Sequence, residues 1–142
     1  MKVTEKTKSS FQLMSISLRK SVFEIAEPES ILDNFEIGIG IEKKISIENN
    51  RKLECAVTTM LSVEDREAFN LSVTMVGKFI VRGESDFETN DFLNINAPSI
   101  IYPYIRQHVR ALSLESGMVK PIILPVINFV SFHNESTGSV DD

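Results

Sequence analysis

Apolar and polar residues alternate along most of the first 81 residues of the chain. Because successive side chains of a strand point to opposite faces, each alternating run predicts a strand with one apolar and one polar face. The runs lie at about 10–25, 35–47, 53–61 and 69–81. Asparagine and arginine at 49–51 supply turn residues, which predicts a hairpin between the second and third runs. We expect consecutive strands, joined by short links, to pair antiparallel.

A spacing of three and four residues replaces this alternation in the segment that follows. It lays one apolar stripe along a helix that is predicted to run from about residue 98 to residue 116. Asn96 is suited to the N-cap of this helix, Pro98 to its first turn, and Gly117 to the left-handed residue that ends it. The pattern predicts an α+β fold in which a four-stranded antiparallel sheet is followed by a long helix packed on one face.

Pro103 leaves the start of this helix open. If the helix begins at Pro98, Pro103 lies beyond the free N–H groups of the first turn and should kink the helix. If the helix begins nearer Ile101, Pro103 costs little. The preceding residues 85–94 are expected to form a short helix or a turn.

The chain is predicted to form one domain, residues 1–133, followed by a flexible polar tail, residues 134–142. Its longest apolar run, near the C-terminus, is interrupted by Lys120 and Pro121 and falls well short of the roughly 20 apolar residues of a membrane span. The basic N-terminus has no apolar segment behind it, so no secretory signal is visible. We expect a cytoplasmic protein without membrane insertion.

An apolar loop, residues 121–127, carries two prolines and no charge. Loops normally lie on the surface and are polar, so these side chains must pack on their own subunit, meet another subunit, or contact a bound polypeptide. All three interpretations favour binding over catalysis.

The residue types that perform chemistry are not grouped in a way that indicates an active site. Cys55, the single cysteine, lies in an alternating run and is expected to be a buried structural thiol. A net charge of -5 argues against nucleic-acid binding. The Gly38–Gly40 pair lies within a strand pattern, Glu64 and Asp65 lie in a predicted turn, and His108 has arginines on either side, which disfavours a metal. We expect no catalytic residues, cofactor or metal site.

Two motifs resemble the SecB family of protein-export chaperones. Residues 96–106 read N-A-P-S-I-I-Y-P-Y-I-R and residues 124–129 read L-P-V-I-N-F, and their spacing also suits that family. Strand residues upstream extend the resemblance over about residues 11–132. It implies an ATP-independent chaperone for protein export that forms a cytoplasmic homotetramer, a dimer of dimers, and holds non-native polypeptides in an apolar groove.

The resemblance also assigns residues to surfaces. The groove that binds unfolded client polypeptides would be lined by Ile39, Ile41, Tyr104, Ile122, Leu124, Val126 and Phe129. The tetramer interface would include Leu71, Val73 and Met75.

The outer sheet face departs from the family pattern. Family members dock the export motor SecA through acidic residues there, but Lys20 stands in place of one acid, while Glu24 is retained. A leucine and an acid of the docking patch are replaced by Asn70 and Ser72. Losing charges at a docking surface weakens recognition, which argues against SecA as a partner.

Other functions stay open beside an export chaperone. The departures favour a dedicated chaperone of one client, such as the antitoxin of a toxin–antitoxin system. A structural or assembly protein would use the apolar loop for oligomerisation alone. An enzyme would require a polar concave site, of which the sequence gives no sign.

Overall fold

The computed structural model contains one antiparallel sheet, as the alternating pattern predicts. The structure describes residues 1–6, 8–27, 35–46, 51–63, 69–82 and 86–137. The strands are β1 (Phe11–Ile25), β2 (Glu36–Ile45), β3 (Lys52–Ser62) and β4 (Phe69–Val81). Each lies within about two residues of the run that predicted it, because the alternation ends where pairing ends. Ile47, expected in the second strand, lies outside the described residues.

The strand order is β1-β4-β3-β2, with every neighbouring pair antiparallel. The expected pairing of β2 with β3 and of β3 with β4 is confirmed, but the expectation that β1 pairs with β2 is wrong. β1 lies along β4, from Phe11 opposite Val81 to Ile25 opposite Phe69. The ten residues 26–35 between β1 and β2 are longer than a hairpin loop, so the chain can cross to the far edge of the sheet.

The two sheet faces differ in composition because opposed residues share a face. Phe79, Gly77, Met75, Val73 and Leu71 of β4 lie opposite residues of the apolar face of β3. The inner face is therefore continuous and buried, with Leu53, Val57, Leu71 and Val73 at most 1% exposed. The outer face is built from small and polar residues, which include Gly38, Gly40, Ala56, Thr58, Ser72 and Thr74.

Helical segments follow β4 and cover the inner face, which confirms the predicted fold class. They are α1 (Asp86–Asp91), a π-helical turn (Phe92–Asn96), α2 (Ala97–Glu115) and, after the apolar loop, α3 (Phe129–Thr137). α2 packs on β3 and β4 through Ile101, Ile105 and Val109, each 0% exposed. The close approach requires Gly77, where an added Cβ would lie 2.8 Å from Cδ1 of Ile101.

The ends of α2 confirm one sequence expectation and correct another. Gly117 has a φ of 86°, and its N–H donates to the carbonyl of Leu114, while the N–H of Met118 donates to that of Ser113. This is the predicted left-handed C-terminal cap. Asn96 occupies the predicted position directly before α2, but its side chain makes no capping hydrogen bond. Its φ of -72° and ψ of -45° are helical, because the π-helical turn leads directly into α2. Pro103 lies inside the helix.

α3 extends into the segment expected to be a tail. Residues 134–137 are helical, and the remaining residues 138–142 lie outside the described part of the chain. Phe129 of α3 is 3% exposed and packs edge-on against Tyr102 of α2, with ring centroids 5.7 Å apart. α3 is thereby tied to α2 by an aromatic contact.

Candidate functional site

The apolar loop, residues 121–127, is held against α2 by three hydrogen bonds. The N–H of Ile122 donates to Oγ of Ser113 at 2.9 Å. Nε of Arg106 donates to the carbonyl of Leu124 at 3.0 Å, and the hydroxyl of Tyr102 donates to the carbonyl of Pro125 at 2.8 Å. Because these bonds satisfy backbone groups that a loop would otherwise leave to water, the loop has a fixed conformation although it lacks regular secondary structure.

This fixed conformation divides the side chains of the apolar loop into two sets. Ile122 is 5% exposed and Leu124 is 0% exposed, so both belong to the core. Ile123 is 67% exposed and Val126 is 82% exposed, so both project into solvent. Of the predicted groove residues, the loop therefore presents Val126 on its surface. Ile122 and Leu124, like Phe129 of α3, are buried within the subunit and support the surface from below.

The apolar loop lies on the side of α2 that faces β2. Nε2 of His108 lies 2.8 Å from Oγ of Ser21 on β1, so the side of α2 that carries His108 faces β1. Two residues turn a helix by about 200°, so Arg106, and with it the apolar loop, lies on the opposite side. The sheet order places β2 on that side. Tyr104, a further predicted groove residue, shares the side of His108 and is not brought together with the loop.

On the β2 side, half-buried isoleucines of the sheet extend the apolar surface. Ile37, Ile39 and Ile41 pack against the edge of the core while part of each side chain stays accessible. We call the half-buried Ile39 and Ile41, together with the exposed Ile123 and Val126, the β2-side surface. The structure thus places three of the predicted groove residues, Ile39, Ile41 and Val126, on one side of α2. The sequence did not single out Ile123, and its high exposure in the structure is what identifies it as part of this surface.

A second apolar surface lies on the other side of α2. Leu18, Ile100 and Tyr104, here called the β1-side patch, are 46%, 37% and 49% exposed. Ile100 and Tyr104 are four residues apart and so share a helix side, a signal that the sequence contains. The predicted interface residues Leu71, Val73 and Met75 lie instead beneath α2, at most 8% exposed. Their burial leaves them almost no side-chain surface for another subunit.

The four residues predicted for partner docking meet on the outer sheet face. Glu24 lies opposite Asn70, and its carboxylate accepts a hydrogen bond from Nδ2 of Asn70 at 3.0 Å. Lys20 lies opposite Thr74 on the same face. Oγ of Ser72 is buried without a hydrogen-bond partner. A cavity of about 590 Å³ opens beside Glu24, Met60, Asn70 and Ser72. This surface is largely uncharged.

The groups that could perform chemistry are dispersed. Burial raises the pKa of Cys55 to about 12, outweighing the opposite effect of Lys43, so its reactive thiolate is disfavoured. The thiol is 0% exposed, which confirms the predicted burial. His108 lies on α2 and contacts Ser21 of β1 on the inner side of the sheet, away from the cavity on the outer face. Within the described ranges no group of three or more His, Cys, Asp or Glu residues could hold a metal. Glu64 and Asp65 lie outside those ranges.

In the part of the chain that the structure describes, no helix is long and apolar enough to span a bilayer.

Comparisons with known proteins agree on one family. The family model described as Preprotein translocase subunit SecB matches residues 4–139. The protein-export protein SecB of Orientia tsutsugamushi (strain Boryong) is 27% identical over 109 residues, covering 77% of this chain and 66% of that protein. That of Azoarcus sp. (strain BH72) is 24% identical over 143 residues, covering 96% and 94%. The chain therefore spans just under two thirds of the Orientia protein and nearly all of the Azoarcus one.

A solved structure has a similar fold. It is the Mycobacterium tuberculosis Rv1957 SecB-like chaperone in complex with a ChAD peptide from the Rv1956 HigA1 antitoxin. The TM-score is 0.68 at 14% sequence identity, over 82% of this chain and 87% of that chain. At this identity the likeness is one of fold.

Proposed function

Because the chain belongs to the SecB family, we propose that it is an ATP-independent chaperone that holds non-native polypeptides for protein export. The observation that carries this proposal is the apolar loop. Three hydrogen bonds fix its backbone while Ile123 and Val126 project into solvent. A rigid loop that exposes apolar side chains is costly for an isolated protein, and exposed apolar surface of this kind marks a binding site.

Holding an unfolded client requires no chemical step. An unfolded chain exposes apolar side chains, and burying them on the β2-side surface gains about 25 cal/mol per Å² of apolar area, less the cost of ordering the client. Since the surface binds the unfolded state and not the folded one, it delays folding by mass action. We therefore propose that the protein acts without a catalytic residue, nucleotide, cofactor or metal. We also propose that it is located in the cytoplasm, where it would bind unfolded chains before their export.

The proposed assembly is a homotetramer, a dimer of dimers. The β1-side patch supports it, because Leu18, Ile100 and Tyr104 would be covered by another subunit. In this arrangement Tyr104 contacts a subunit, while Ile39, Ile41 and Val126 contact clients. Ile122, Leu124 and Phe129 hold the surface in place from within the subunit.

A dedicated chaperone of one client is the second candidate. Two observations favour it: the outer face carries Lys20, Asn70 and Ser72 where a SecA-docking patch is expected, and the similar solved structure is a SecB-like chaperone with an antitoxin peptide. Under this proposal a single partner, such as an antitoxin, replaces the broad set of export clients.

The proposed function is tested by adding charge to the exposed residues of the apolar loop. In the double variant Ile123→Asp/Val126→Asp, carboxylates replace two exposed apolar side chains, so the fold should persist while client binding is lost. Suppression of aggregation of an unfolded test protein, without nucleotide, should weaken by roughly tenfold or more, given about 1 kcal/mol per lost side chain. The matched control is Val119→Asp, a 90% exposed valine outside the apolar loop.

The outcomes separate the alternatives. Full activity of the double variant, with Val119→Asp also active, would contradict the site. Failure of the unmodified protein to delay aggregation at equimolar concentration would favour a structural or assembly protein. Affinity capture from the native cell distinguishes the two chaperone roles, because an export chaperone should retain many unfolded precursors and a dedicated one should retain a single partner.

A further inference from the structure

The outer face of the sheet has small side chains in its middle and little charge there. Residues opposed on neighbouring strands form rows across this face, in the strand order β1-β4-β3-β2. The three middle rows are Val22-Ser72-Met60-Gly38, Lys20-Thr74-Thr58-Gly40 and Ser17-Val76-Ala56-Glu42. In these rows, Lys20 on β1 and Glu42 on β2 are the charged residues. The helices of the described chain pack on the inner face and leave this surface uncovered.

The middle rows are complementary in size to a second copy of themselves. A two-fold axis that lies between two outer faces and runs along the strands places β1 over β2 and β4 over β3 of the other copy. Val22 then meets Gly38, and Met60 meets Ser72, so each large side chain lies over a small one. The third row repeats this with a valine over an alanine. Stacked sheets pack by interdigitating side chains in this way.

Met60 and Ser72 form the part of this face that most requires a partner. Met60 is 47% exposed. Ser72 is 8% exposed, and its hydroxyl has no hydrogen-bond partner in its own subunit. The cavity of about 590 Å³ opens beside both residues. Met60 of a second copy can enter this cavity, which buries its side chain and brings its sulfur, a weak acceptor, towards the Ser72 hydroxyl.

The two charges of the middle rows are complementary under the same rotation. Lys20 and Glu42 are exposed, lie on opposite edge strands and are one row apart. Rotation about the axis along the strands brings Lys20 of each copy close to Glu42 of the other. An axis across the strands would instead place each strand over itself and Lys20 over Lys20. Complementary charges fix the register of an interface, which favours the axis along the strands.

We propose that two copies of this chain stack through their outer sheet faces, about a two-fold axis along the strands. Met60 of each copy lies beside Ser72 of the other, and Lys20 lies beside Glu42. The contact uses neither the β1-side patch nor the β2-side surface, so it is independent of the proposed function. It joins copies that are already assembled through the β1-side patch, and it closes the face on which another protein would dock.

A zero-length cross-link in the unmodified protein is the most specific test. Within one subunit Lys20 and Glu42 are separated by three strand spacings, or about 14 Å, which is too far for a carbodiimide to join them. An amide between the two side chains therefore reports stacking. We expect mass spectrometry to find this amide after carbodiimide treatment. In a mixture of isotope-labelled and unlabelled protein, it should join one labelled and one unlabelled chain.

Charge reversal tests the pairing of Lys20 with Glu42. Lys20→Glu and Glu42→Lys each place like charges together twice, so each should weaken self-association by roughly tenfold or more. An equimolar mixture of the two variants pairs opposite charges at both contacts and should associate like the unmodified protein. Sedimentation velocity measures all three samples. The matched control is Lys120→Glu, which reverses an exposed charge outside the sheet and should leave self-association unchanged.

Shortening Met60 tests the packing at the centre of the face. Met60→Ala removes two methionine side chains from each contact and should weaken self-association by roughly tenfold. Val130→Ala is the control, because this 50% exposed valine lies on α3, away from the outer face. Equal effects of the two variants would overturn the placement of Met60 in the contact.

The remaining outcomes decide whether the second copy is the occupant. A mass that does not depend on protein concentration, with no amide between Lys20 and Glu42, would overturn the stacking. So would a cross-link from either residue to a different polypeptide alone, which would assign the face to that partner. Failure of the mixed variants to associate would overturn the pairing. Suppression of aggregation should be equal in Lys20→Glu and the unmodified protein, and its absence in both would contradict the proposed function alone.

Discussion

Tyr102 and Tyr104 are separated by one residue of α2 and have different environments. Tyr102 is 3% exposed, and its hydroxyl donates to the carbonyl of Pro125. Burial raises the pKa of this tyrosine, and the nearby Arg106 opposes the increase. Tyr104 is 49% exposed and lies on the β1 side. One tyrosine thus anchors the apolar loop, and the other belongs to the surface proposed for subunit contact.

Replacing each tyrosine by phenylalanine separates these roles. Tyr102→Phe removes the donor to Pro125 and should lower the free energy of unfolding by about 1 kcal/mol, since it leaves a carbonyl without its partner. Tyr104→Phe, the matched control, should change it by less than about 0.5 kcal/mol. Denaturant titration measures both. Equal stabilities of the two variants would contradict an anchoring role for Tyr102.

The buried thiol of Cys55 should make the free energy of unfolding depend on pH. Its pKa rises from 9.0 to about 12 on folding, so the folded state retains the proton when the unfolded state loses it. The stabilisation is complete below pH 9 and is lost as pH rises from about 9 towards 12, by at most about 1.4 kcal/mol per pH unit. Cys55→Ala should lose less stability between about pH 9 and pH 11 than the unmodified chain. Parallel curves in denaturant titrations would contradict this.

At the scale of residues, the sequence identified the apolar loop but not which of its side chains face outward. Leu124 and Val126 both read as apolar groove residues, yet one is 0% and the other 82% exposed. The difference comes from bonds to Tyr102 and Arg106, which lie about twenty residues away in sequence. Period-two or helical spacing carries no information about such a contact. A loop without regular structure therefore cannot be resolved from its own pattern.

At the scale of elements, α2 and the sheet approach closely at one glycine. Gly77 of β4 faces Ile101, and an added Cβ would lie 2.8 Å from Cδ1 of Ile101 and 3.0 Å from Cε2 of Phe79. Both neighbours are at most 2% exposed and have little freedom to move. Gly40, on the outer face of β2, has no neighbour within 3.9 Å of such an atom.

Alanine at the two glycines should therefore have different effects. Gly77→Ala overpacks the contact between α2 and β4 and should lower the free energy of unfolding by about 1–3 kcal/mol. Gly40→Ala should leave it unchanged or raise it slightly, because alanine suits a strand interior better than glycine. Thermal or denaturant unfolding distinguishes them. A stable Gly77→Ala variant would show that α2 can shift away from the sheet.

The elements themselves could be read from the sequence, but their order and one boundary could not. Alternation marks β1 to β4 because each strand has one buried face. It does not state which strands are neighbours, so the pairing of β1 with β4 could not be read from it. Asn96 is a good cap residue in isolation. Its helical backbone results from the continuous helical path that leads from α1 into α2.

At the scale of the whole molecule, two apolar surfaces lie on opposite sides of α2. The β2-side surface combines the apolar loop with the isoleucines of an open sheet edge. The β1-side patch combines the helix with β1. This separation would let the β1-side patch serve the proposed assembly while the β2-side surface stays available to the proposed clients.

Assembly can be tested on the β1-side patch alone. Tyr104→Asp, combined with Leu18→Asp, introduces carboxylates into a surface that subunits are proposed to bury, and an unpaired buried charge costs several kcal/mol. The mass measured by light scattering should fall below that of the tetramer. Val119→Asp, which adds a charge outside both surfaces, should leave it unchanged. An unaltered mass of the double variant would place the subunit contact elsewhere.

The central claim is that this chain binds polypeptides because they are unfolded. The most direct measurement is fluorescence anisotropy of a labelled, permanently unfolded variant of a small protein and of its folded parent, each titrated with this chain without nucleotide. The two ligands differ in exposed apolar area and free backbone groups and share nearly all of their sequence. We predict saturable binding of the unfolded variant and none of the folded parent at the same concentrations. Equal binding of both forms, or binding of neither, would contradict the account.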